Sequence, residues 1–411
     1  MSGSAFVVGQ CWTSSLPPGW TGISAKRLFE QRKDRARPDD QQLSVTQSQG
    51  VVSQQELLEN GQRVVLALSG IENFKHVDVD DFVISLRSFQ GGIERSTVSG
   101  CVSPAYTVLR AADRISPRFW GYLFKSSAFI TALRSVIVEG IRDGKSITYE
   151  QFGETVVPVP SVDRQEEIAD HLDRTTARID TLVTRKTRFI ELLREKRQAL
   201  ITHAVTKGLG ANVPMKDSGV EWLGDIPETW STKRLRFVCD VTTGCRDTVN
   251  AVENGAYPFY VRSQEVARID TYSADCEAVL TAGDGAGVGK VYHYVEGKFD
   301  FHQRVYMMHN FRHVSGRFFF HYLSSIFAAV ALDGGAKSTV DSLRMPVFNN
   351  FHITIPGIDE QDQIVRYIES RSARIDVLIA KTERSIELLR EHRAALITAA
   401  VTGKIDLRNA A

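Results

Sequence analysis

A stretch of 47 residues occurs twice in this chain, and this duplication limits the possible folds more than any other feature. Residues 160–206 and 356–402 align without a gap at an offset of 196, with 24 identities, and the strings ARID, ELLRE and ALIT recur unchanged. A repeat of this length indicates internal duplication. Both copies read as one long helix that ends near Gly208 and Gly403, because glycine commonly follows the last helical turn.

The apolar residues of each copy follow the 3.5-residue repeat of a coiled coil. The predicted seam consists of Ile168, Leu172, Ile179, Leu182, Phe189, Leu193 and Leu200 in the first copy, and of Ile364, Ile368, Ile375, Leu378, Leu389 and Leu396 in the second. A helix of about 44 residues is roughly 66 Å long. An amphipathic helix of that length needs a partner for its apolar stripe, and the other copy is the candidate. An ordinary core helix is the alternative reading of such a stripe.

Composition and charge set the outer bounds. The 411 residues are 43% hydrophobic and 24% charged, as in ordinary globular proteins. The net charge of +1 lacks the basic excess that often marks a nucleic-acid-binding domain. The first residues do not read as a signal peptide, and the longest apolar run, 318–332, is too short to span a bilayer. The five cysteines fit neither a disulfide framework nor a zinc site. We therefore expect a cytoplasmic protein.

A globular segment precedes each predicted helix, and the two segments share a plan. Short β-rich runs and one helical run are predicted at 63–68, 81–87, 105–109 and 117–137 in the first segment, and at 259–263, 304–308 and from 318 in the second. The predicted fold is α+β. Two mixed α/β domains, 1–158 and 209–355, are separated by long helices within 159–208 and 356–411. The helices form an antiparallel coiled coil, so that the internal repeat has an approximate two-fold axis.

Two sequence patterns resemble catalytic motifs. The glycine-rich run 283–290 resembles a phosphate-binding loop, but Val291 stands where Ser or Thr would bind magnesium. A tight turn between strands is the better reading. Glu296 and Lys298, with Asp284 upstream, imitate the acid–acid–lysine set of a metal-dependent nuclease. That pattern is short and has no equivalent in the first segment. The sequence therefore predicts no active site.

The duplicated helices, each preceded by a Val-Pro or Ile-Pro dipeptide, and the stretch SGVEWLGDIPETW at 218–230 are similar to conserved regions of one known family. They resemble the DNA-specificity subunit of type I restriction–modification enzymes. This resemblance implies two target-recognition domains, each reading one half of a split DNA sequence, and a coiled coil as the spacer between them. Because the two segments differ in sequence, the two half-sites should differ, and the whole site should not be a palindrome.

The resemblance also implies the partners of this chain. These are double-stranded DNA, two modification subunits that carry S-adenosylmethionine and methylate adenine, and restriction subunits that use ATP and Mg²⁺ to translocate and cut. It implies that this chain is not itself an enzyme and holds no cofactor or metal of its own.

Glutamine and arginine pair bidentately with adenine and guanine, and lysine, arginine and serine contact phosphates. The predicted DNA-binding residues are Arg87, Arg95, Lys145 and Ser146 in the first segment, and Arg262, Lys290, Gln303, Arg304, Lys337 and Ser338 in the second. A surface charge or a local turn partner is the alternative reading for each of them. Two other function classes stay open: a coiled-coil scaffold without DNA contact, and a metal-dependent nuclease that acts alone.

Overall fold

The structure is a computed structural model that describes residues 16–47, 49–62, 70–86, 88–113, 115–135, 147–331, 343 and 345–405. The chain divides into two units, of which the first consists of Met1–Lys186 and Arg384–Ala411 and the second of Thr187–Glu383. Each unit combines one globular segment with parts of two long helices. We call the globular segments head 1 (residues 16–159) and head 2 (residues 209–355).

Head 1 is built from short strands and helices. Its strands within the described residues are β1 (Thr21–Ser24), β2 (Phe29–Arg32), β3 (Leu43–Thr46), β4 (Gly50–Ser53), β5 (Lys75–Val77), β6 (Phe82–Ile84), β7 (Glu94–Arg95), β8 (Gly100–Val102), β9 (Thr107–Ala111) and β10 (Val156–Val159). Its helices are α1 (Gln54–Glu59), α2 (Ser88–Gly91), α3 (Pro117–Lys125), α4 (Ser127–Ser135) and α5 (Tyr149–Glu154). The helical run predicted at 117–137 is thus two helices, because Ser126 adopts an extended conformation between them. The strand predicted at 63–68 lies outside the described residues.

An antiparallel sheet with the strand order β2-β9-β6-β7 carries the core of head 1. Phe29 and Phe82 of this sheet pack against Trp120 and Phe124 of α3, with ring centroids 5.1–5.5 Å apart. All four side chains are fully buried, and each such burial contributes about 1.5–3 kcal/mol to stability. Strand β1 pairs with β10, which leads directly into the first long helix.

The first long helix is α6 (Val162–Lys207), which ends before Gly208 at φ +78°. Head 2 follows. Its strands are β11 (Met215–Asp217), β12 (Asp225–Pro227), β13 (Ser231–Arg234), β14 (Asp240–Thr243), β15 (Tyr257–Tyr260), β16 (Ala267–Ile269), β17 (Ala274–Asp275), β18 (Ala278–Ala282), β19 (Tyr292–Val295), β20 (Lys298–Phe301), β21 (Val305–His309) and β22 (His352–Ile355). Its helices are α7 (Gly316–Ala331) and α8 (Met345–Asn349), and the second long helix is α9 (Ile358–Val401).

Head 2 repeats part of the strand arrangement of head 1 and adds to it. Its antiparallel sheet β14-β21-β18-β19 has the same connectivity as the four-stranded sheet of head 1, and β13 pairs with β22 before α9 as β1 pairs with β10 before α6. A second sheet, β16-β15-β20-β17, contains one parallel pair, β15 with β20. Head 1 has in place of this sheet the two-stranded pairs β3-β4 and β5-β8.

A buried glutamine fastens each head to the long helix that follows it. Gln165 accepts hydrogen bonds from the backbone N–H of Ser116 at 2.9 Å and from the indole of Trp120 at 3.1 Å. Gln361, its copy, accepts one from the backbone N–H of Ser315 at 2.8 Å. Both glutamines are at most 1% exposed. Their identity in the repeat therefore has a structural reason, since a buried backbone N–H needs an acceptor.

Within each unit the two long helices run in opposite directions. In the second unit Arg194 pairs with Glu383 at 3.2 Å and Arg197 with Asp376 at 2.5 Å, so a later position on α6 meets an earlier one on α9. In the first unit Arg393 pairs with Asp180 at 3.0 Å. This last pair is the copy of the one between Arg197 and Asp376, because both positions are related by the offset of 196. The same ion pair thus occurs once in each unit.

Burial corrects part of the predicted helix seam. Ile168, Leu172, Ile179, Leu193, Ile364, Ile368 and Ile375 are buried, and Leu200, Leu389 and Leu396 are half-buried. Ile168 and Leu172 belong to the core cluster of head 1, and Ile364 and Ile368 to that of head 2. Leu182, Phe189 and Leu378 are each 45% exposed, so their assignment to the seam was wrong.

The error is one of phase. The next residue is buried in two of these cases, Ile190 at 6% and Ile379 at 8% exposure. The repeat runs with steps of four and three through the buried Thr176 and Thr382, and an apolar pattern does not reveal Thr176.

Among the helices that the structure describes, none has the combination of length and apolar character that crossing a membrane requires.

Candidate nucleic-acid interface

The structure describes half of the predicted DNA-binding residues. Arg262, Lys290, Gln303 and Arg304 all belong to head 2, and Arg95 belongs to head 1. The remaining predicted residues, Arg87, Lys145, Ser146, Lys337 and Ser338, lie outside the described residues.

Three separate chain segments of head 2 bring two arginines to one carboxylate. Arg262 follows β15, Asp284 follows β18, and Arg304 precedes β21. Nη1 of Arg262 donates to Oδ1 of Asp284 at 2.9 Å, and Nη1 of Arg304 lies 3.2 Å from Oδ2. The aspartate side chain is 17% exposed, whereas the two arginine side chains are 45% and 63% exposed. The carboxylate is therefore sheltered beneath two guanidinium groups that face solvent.

The glycine-rich run between β18 and β19 permits this arrangement. A Cβ added at Gly287 would stand 2.6 Å from the carbonyl oxygen of Arg262, and one added at Gly283 would stand 3.1 Å from that of Arg304. The exposed Lys290 closes the run by donating from its backbone N–H to the carbonyl of Gly287 at 3.0 Å. The run joins two antiparallel strands and not a strand to a helix, so the prediction of a turn is confirmed and a phosphate-binding loop is excluded.

Gln303 lies next to Arg304 and is held in place where the end of β14 approaches the end of β20. Its backbone N–H donates to the carbonyl of Arg246 at 2.8 Å, and its side-chain amide donates to Asp247 at 2.8 Å. Only glycine fits at position 244, because a Cβ there would stand 2.0 Å from the carbonyl oxygen of Phe301. The backbone at Gln303 and Arg304 is therefore held in one position, and Arg246 is a further arginine of the same surface.

Burial keeps the histidine of this surface uncharged. It lowers the pKa of His302, and the nearby charge of Arg262 adds to the effect. In agreement, Nδ1 of His302 lies 2.9 Å from the backbone nitrogen of Arg304, which donates to it. The imidazole therefore orients the backbone of a predicted DNA-binding residue and adds no charge of its own at neutral pH.

Head 1 uses its charged residues differently. Arg95 pairs with Asp80, with 2.7 Å between Nε and Oδ1, and its side chain is 27% exposed. Arg32, only 8% exposed, contacts three aspartates, and one of these, Asp78, also bonds to the buried His76 at 2.9 Å. The hydrogen bond from His76 is the main reason why the pKa of Asp78 is lowered. Arg37, whose side chain is 56% exposed, also lies 4.0 Å from Asp78, so two arginines share a carboxylate in head 1 as well. Unlike the pair on Asp284 in head 2, one of the two arginines in head 1 is buried.

A second basic surface in head 2 was not predicted. Lys233, Arg234, His313 and His352, together with the 54% exposed Phe237, line an open cleft of about 510 Å³. The signal was present in the sequence as the run KRLRF at 233–237. Asp284 and Asp247 were also missed as members of the arginine site, because a search for cations and amides passes over the carboxylates that hold them. Arg246 was missed because only the close approach of its segment to Gln303 places it there.

The proposed nuclease residues do not assemble into a metal site. Glu296 accepts a hydrogen bond from Tyr294, and Nζ of Lys298 lies 4.6 Å from the ring centroid of Tyr272. No group of three or more His, Cys, Asp or Glu residues that could hold a metal ion occurs in the part of the chain that the structure describes.

Comparison with known proteins adds independent evidence. Residues 227–388 match the model of the type I restriction modification DNA specificity domain. The specificity subunit of the type I restriction enzyme EcoDI from Escherichia coli is 27% identical over 182 residues, which are 44% of this chain and 40% of that protein. The specificity subunit of MjaVIII from Methanocaldococcus jannaschii is 23% identical over 282 residues, or 63% of this chain and 64% of the relative. These matches span less than two thirds of either relative.

The resemblance predicted from the sequence is confirmed. The chain is similar to type I DNA-specificity subunits.

Solved structures agree in fold. A chain from a study of complex assembly and conformational transition in the type I restriction–modification system superposes with a TM-score of 0.69 at 15% identity, covering 95% of this chain and all of that one. The HsdS subunit of Thermoanaerobacter tengcongensis gives a TM-score of 0.53 at 16% identity, covering 95% of this chain and 98% of the other. At these identities the likeness concerns the fold alone.

Proposed function

We propose that this chain is the non-catalytic DNA-recognition subunit of a type I restriction–modification complex, with head 1 and head 2 as its two target-recognition domains. Each head would read one half of a bipartite, non-palindromic sequence. The observation that carries the proposal is the contrast between the heads, which share their attachment to the helices but present different polar residues. The arginine site of head 2 supports it further, because exposed guanidinium groups and an amide are the side chains that recognise bases in the major groove.

The two long helices would form the antiparallel coiled-coil spacer that sets the distance between the half-sites. The repeated ion pair supports this part of the proposal, since Asp180 with Arg393 and Arg197 with Asp376 place one equivalent contact in each unit. The alternation of buried residues in steps of three and four along both helices is typical of such a pairing.

The modification subunits would bind to the exposed faces of the helices, one per unit. Leu182 and Leu388 are 45% and 49% exposed in the first unit, and their copies, Leu378 and Leu192, are 45% and 46% exposed in the second. Leucines that are identical in both copies yet exposed have no role in the pairing of the helices. A partner present in two copies accounts for them. S-adenosylmethionine, ATP and Mg²⁺ would be held by the partner subunits.

DNA binding separates this proposal from a scaffold function. We expect the purified chain to retain duplex DNA of random sequence in a filter-binding assay, with an affinity that falls as salt rises. Arg304→Ala should weaken retention of the recognised sequence, whereas Arg384→Ala, an exposed arginine on α9, should not. Failure to bind any duplex would favour the scaffold, and magnesium-dependent cleavage by the chain alone would favour the nuclease.

The number of partner copies tests the second part of the proposal. Sedimentation with the modification subunit should give two copies per chain. The double variant Leu182→Asp/Leu388→Asp should bind one copy, and the mirror variant Leu192→Asp/Leu378→Asp should also bind one. Thermal unfolding should be nearly unchanged in both, because the four leucines are exposed. Two bound copies in both variants would contradict this docking surface.

A further inference from the structure

We propose that Asp284 is a positioning residue for base recognition, and that Arg304 reads a guanine in the half-site of head 2. This inference rests on the proposed function and makes it more specific. It assigns a role to a carboxylate that would itself repel DNA, and it predicts one base of the recognised sequence.

The first step concerns orientation. A guanidinium group on an exposed arginine rotates freely, and its ordering on binding costs conformational entropy. Asp284 accepts a hydrogen bond from Arg262 at 2.9 Å and forms an ion pair with Arg304, with 3.2 Å between Oδ2 and Nη1. A guanidinium carries five N–H groups, so the remaining edge of Arg304 still holds a pair of donors for the O6 and N7 atoms of guanine. The aspartate thus lowers the entropic cost of a bidentate contact without blocking it.

The second step concerns the backbone that carries the arginine. The N–H of Arg304 donates to the neutral His302, and its carbonyl oxygen accepts from the N–H of Gly283 at 2.8 Å. The following strand, β21, is held between two neighbours in the sheet. The side chain therefore projects from a rigid position. Rigid placement is what base readout requires, because a bidentate contact tolerates little displacement.

The third step distinguishes bases from phosphates. Contact with a phosphate depends on net positive charge, and a carboxylate bound to an arginine cancels part of that charge. Asp284 pairs with two arginines, and Asp247 accepts a hydrogen bond from Gln303. The two carboxylates reduce the net positive charge of this surface and orient its side chains. The second basic surface of head 2 has the opposite character, since Lys233 and Arg234 line a cleft in which the described residues include no carboxylate. The arginine site therefore has the character of a base-reading surface.

The test is selection from a random duplex pool with the full chain, followed by sequencing of the bound DNA. Wild-type protein should enrich a two-part motif with a guanine in one half. Arg304→Lys, which keeps the charge but loses the fork of donors, should reduce the preference for that guanine by about tenfold, the order expected from one lost bidentate contact. Asp284→Ala should reduce it severalfold while leaving the affinity for random duplex equal or higher, because a negative charge is removed. Lys233→Ala, the matched control on the other basic surface, should weaken binding to all sequences alike.

The other bases of the same half-site serve as the folding control within each variant, because a misfolded head 2 would lose the preference for all of them. A motif whose guanine preference survives both Arg304→Lys and Asp284→Ala would overturn this inference and leave the proposed function standing. A fall in affinity for random duplex in Asp284→Ala would likewise overturn it, because it would indicate a structural role. If wild-type protein enriched no motif at all, the proposed function would fail and this inference with it.

Discussion

Head 1 and head 2 are alike where they join the long helices and unlike in the residues that they present. Both have a strand pair before the helix, a four-stranded antiparallel sheet of the same connectivity, and a buried glutamine at the start of the helix. In head 1, Arg32 is 8% exposed and contacts three aspartates, whereas head 2 exposes both Arg262 and Arg304 above their shared aspartate. The comparison indicates that the junction between head and helix was retained after the duplication, while the polar residues on the surfaces of the heads diverged.

The largest expected effect tests the shared helix seam. Ile179→Asp and Ile375→Asp place an unpaired carboxylate at copies of one position that are 6% and 7% exposed. Each should lower the free energy of unfolding by several kcal/mol, as measured by urea denaturation. Leu182→Asp and Leu378→Asp, at exposed positions three residues later, are the matched controls and should cost less than about 0.5 kcal/mol. Equal losses at all four positions would contradict the corrected seam.

Acidification should lower the stability of head 2 through a partly buried histidine for which head 1 has no equivalent. Burial lowers the pKa of His321 on α7 to about 4, with a contribution from Arg317, and Tyr122 stands at the corresponding place of α3 in head 1. A histidine whose pKa is lowered by folding contributes full stability above its ordinary pKa near 6.5 and loses it as the pH falls towards 4. Protonation should therefore cost head 2 up to about 3 kcal/mol.

The measurement is urea unfolding of wild type and His321→Gln at pH 7 and pH 4.5. The variant should lose less stability on acidification than the wild type, because it has no proton to take up at this site. Equal losses in the two proteins would show that this histidine does not carry the acid sensitivity of head 2.

The buried glutamines should matter equally in both units. Gln165→Ala and Gln361→Ala each leave buried backbone groups without a partner, and each should cost about 2 kcal/mol. Gln55→Ala on the surface of α1, where the side chain bonds only to Glu59 in the hydrogen bonds described, is the control. A large effect in one unit and none in the other would break the claim that attachment is shared.

The smallest expected effect is a difference in the ion pairs at the same junction. Arg118 contacts Glu166, Asp170 and Asp173 on α6, the last two at 2.8 and 2.9 Å, while Arg317 lies 3.7 Å from Glu369 and 4.0 Å from Glu296. All of these groups are about a third exposed or more, so solvent screens them. Thermal unfolding should show a loss of about 1 kcal/mol for Arg118→Ala and of less than about 0.5 kcal/mol for Arg317→Ala. The reverse order would refute this reading of the two junctions.

The sequence predicts the helices and their duplication because periodicity is a local property. Their ends at Gly208 and Gly403 were found for the same reason. The phase of the seam was missed at Leu182 because an apolar neighbour, Val183, offers an equal pattern and the buried Thr176 conceals the true repeat. The arginine site was found only in part, since Arg262, Asp284 and Arg304 meet through strand pairing between distant segments. No local pattern records that meeting.

A head exchange tests the central claim most directly. Residues 215–355 would be replaced by the corresponding segment of a related specificity subunit, and the methylated sequence would be determined by methylation-site sequencing in cells that contain the modification subunit. The account predicts that one half of the methylated sequence changes, while the other half and the gap between them stay as they were, because head 1 and the helices are untouched. A change in both halves would contradict the assignment of one half-site to each head.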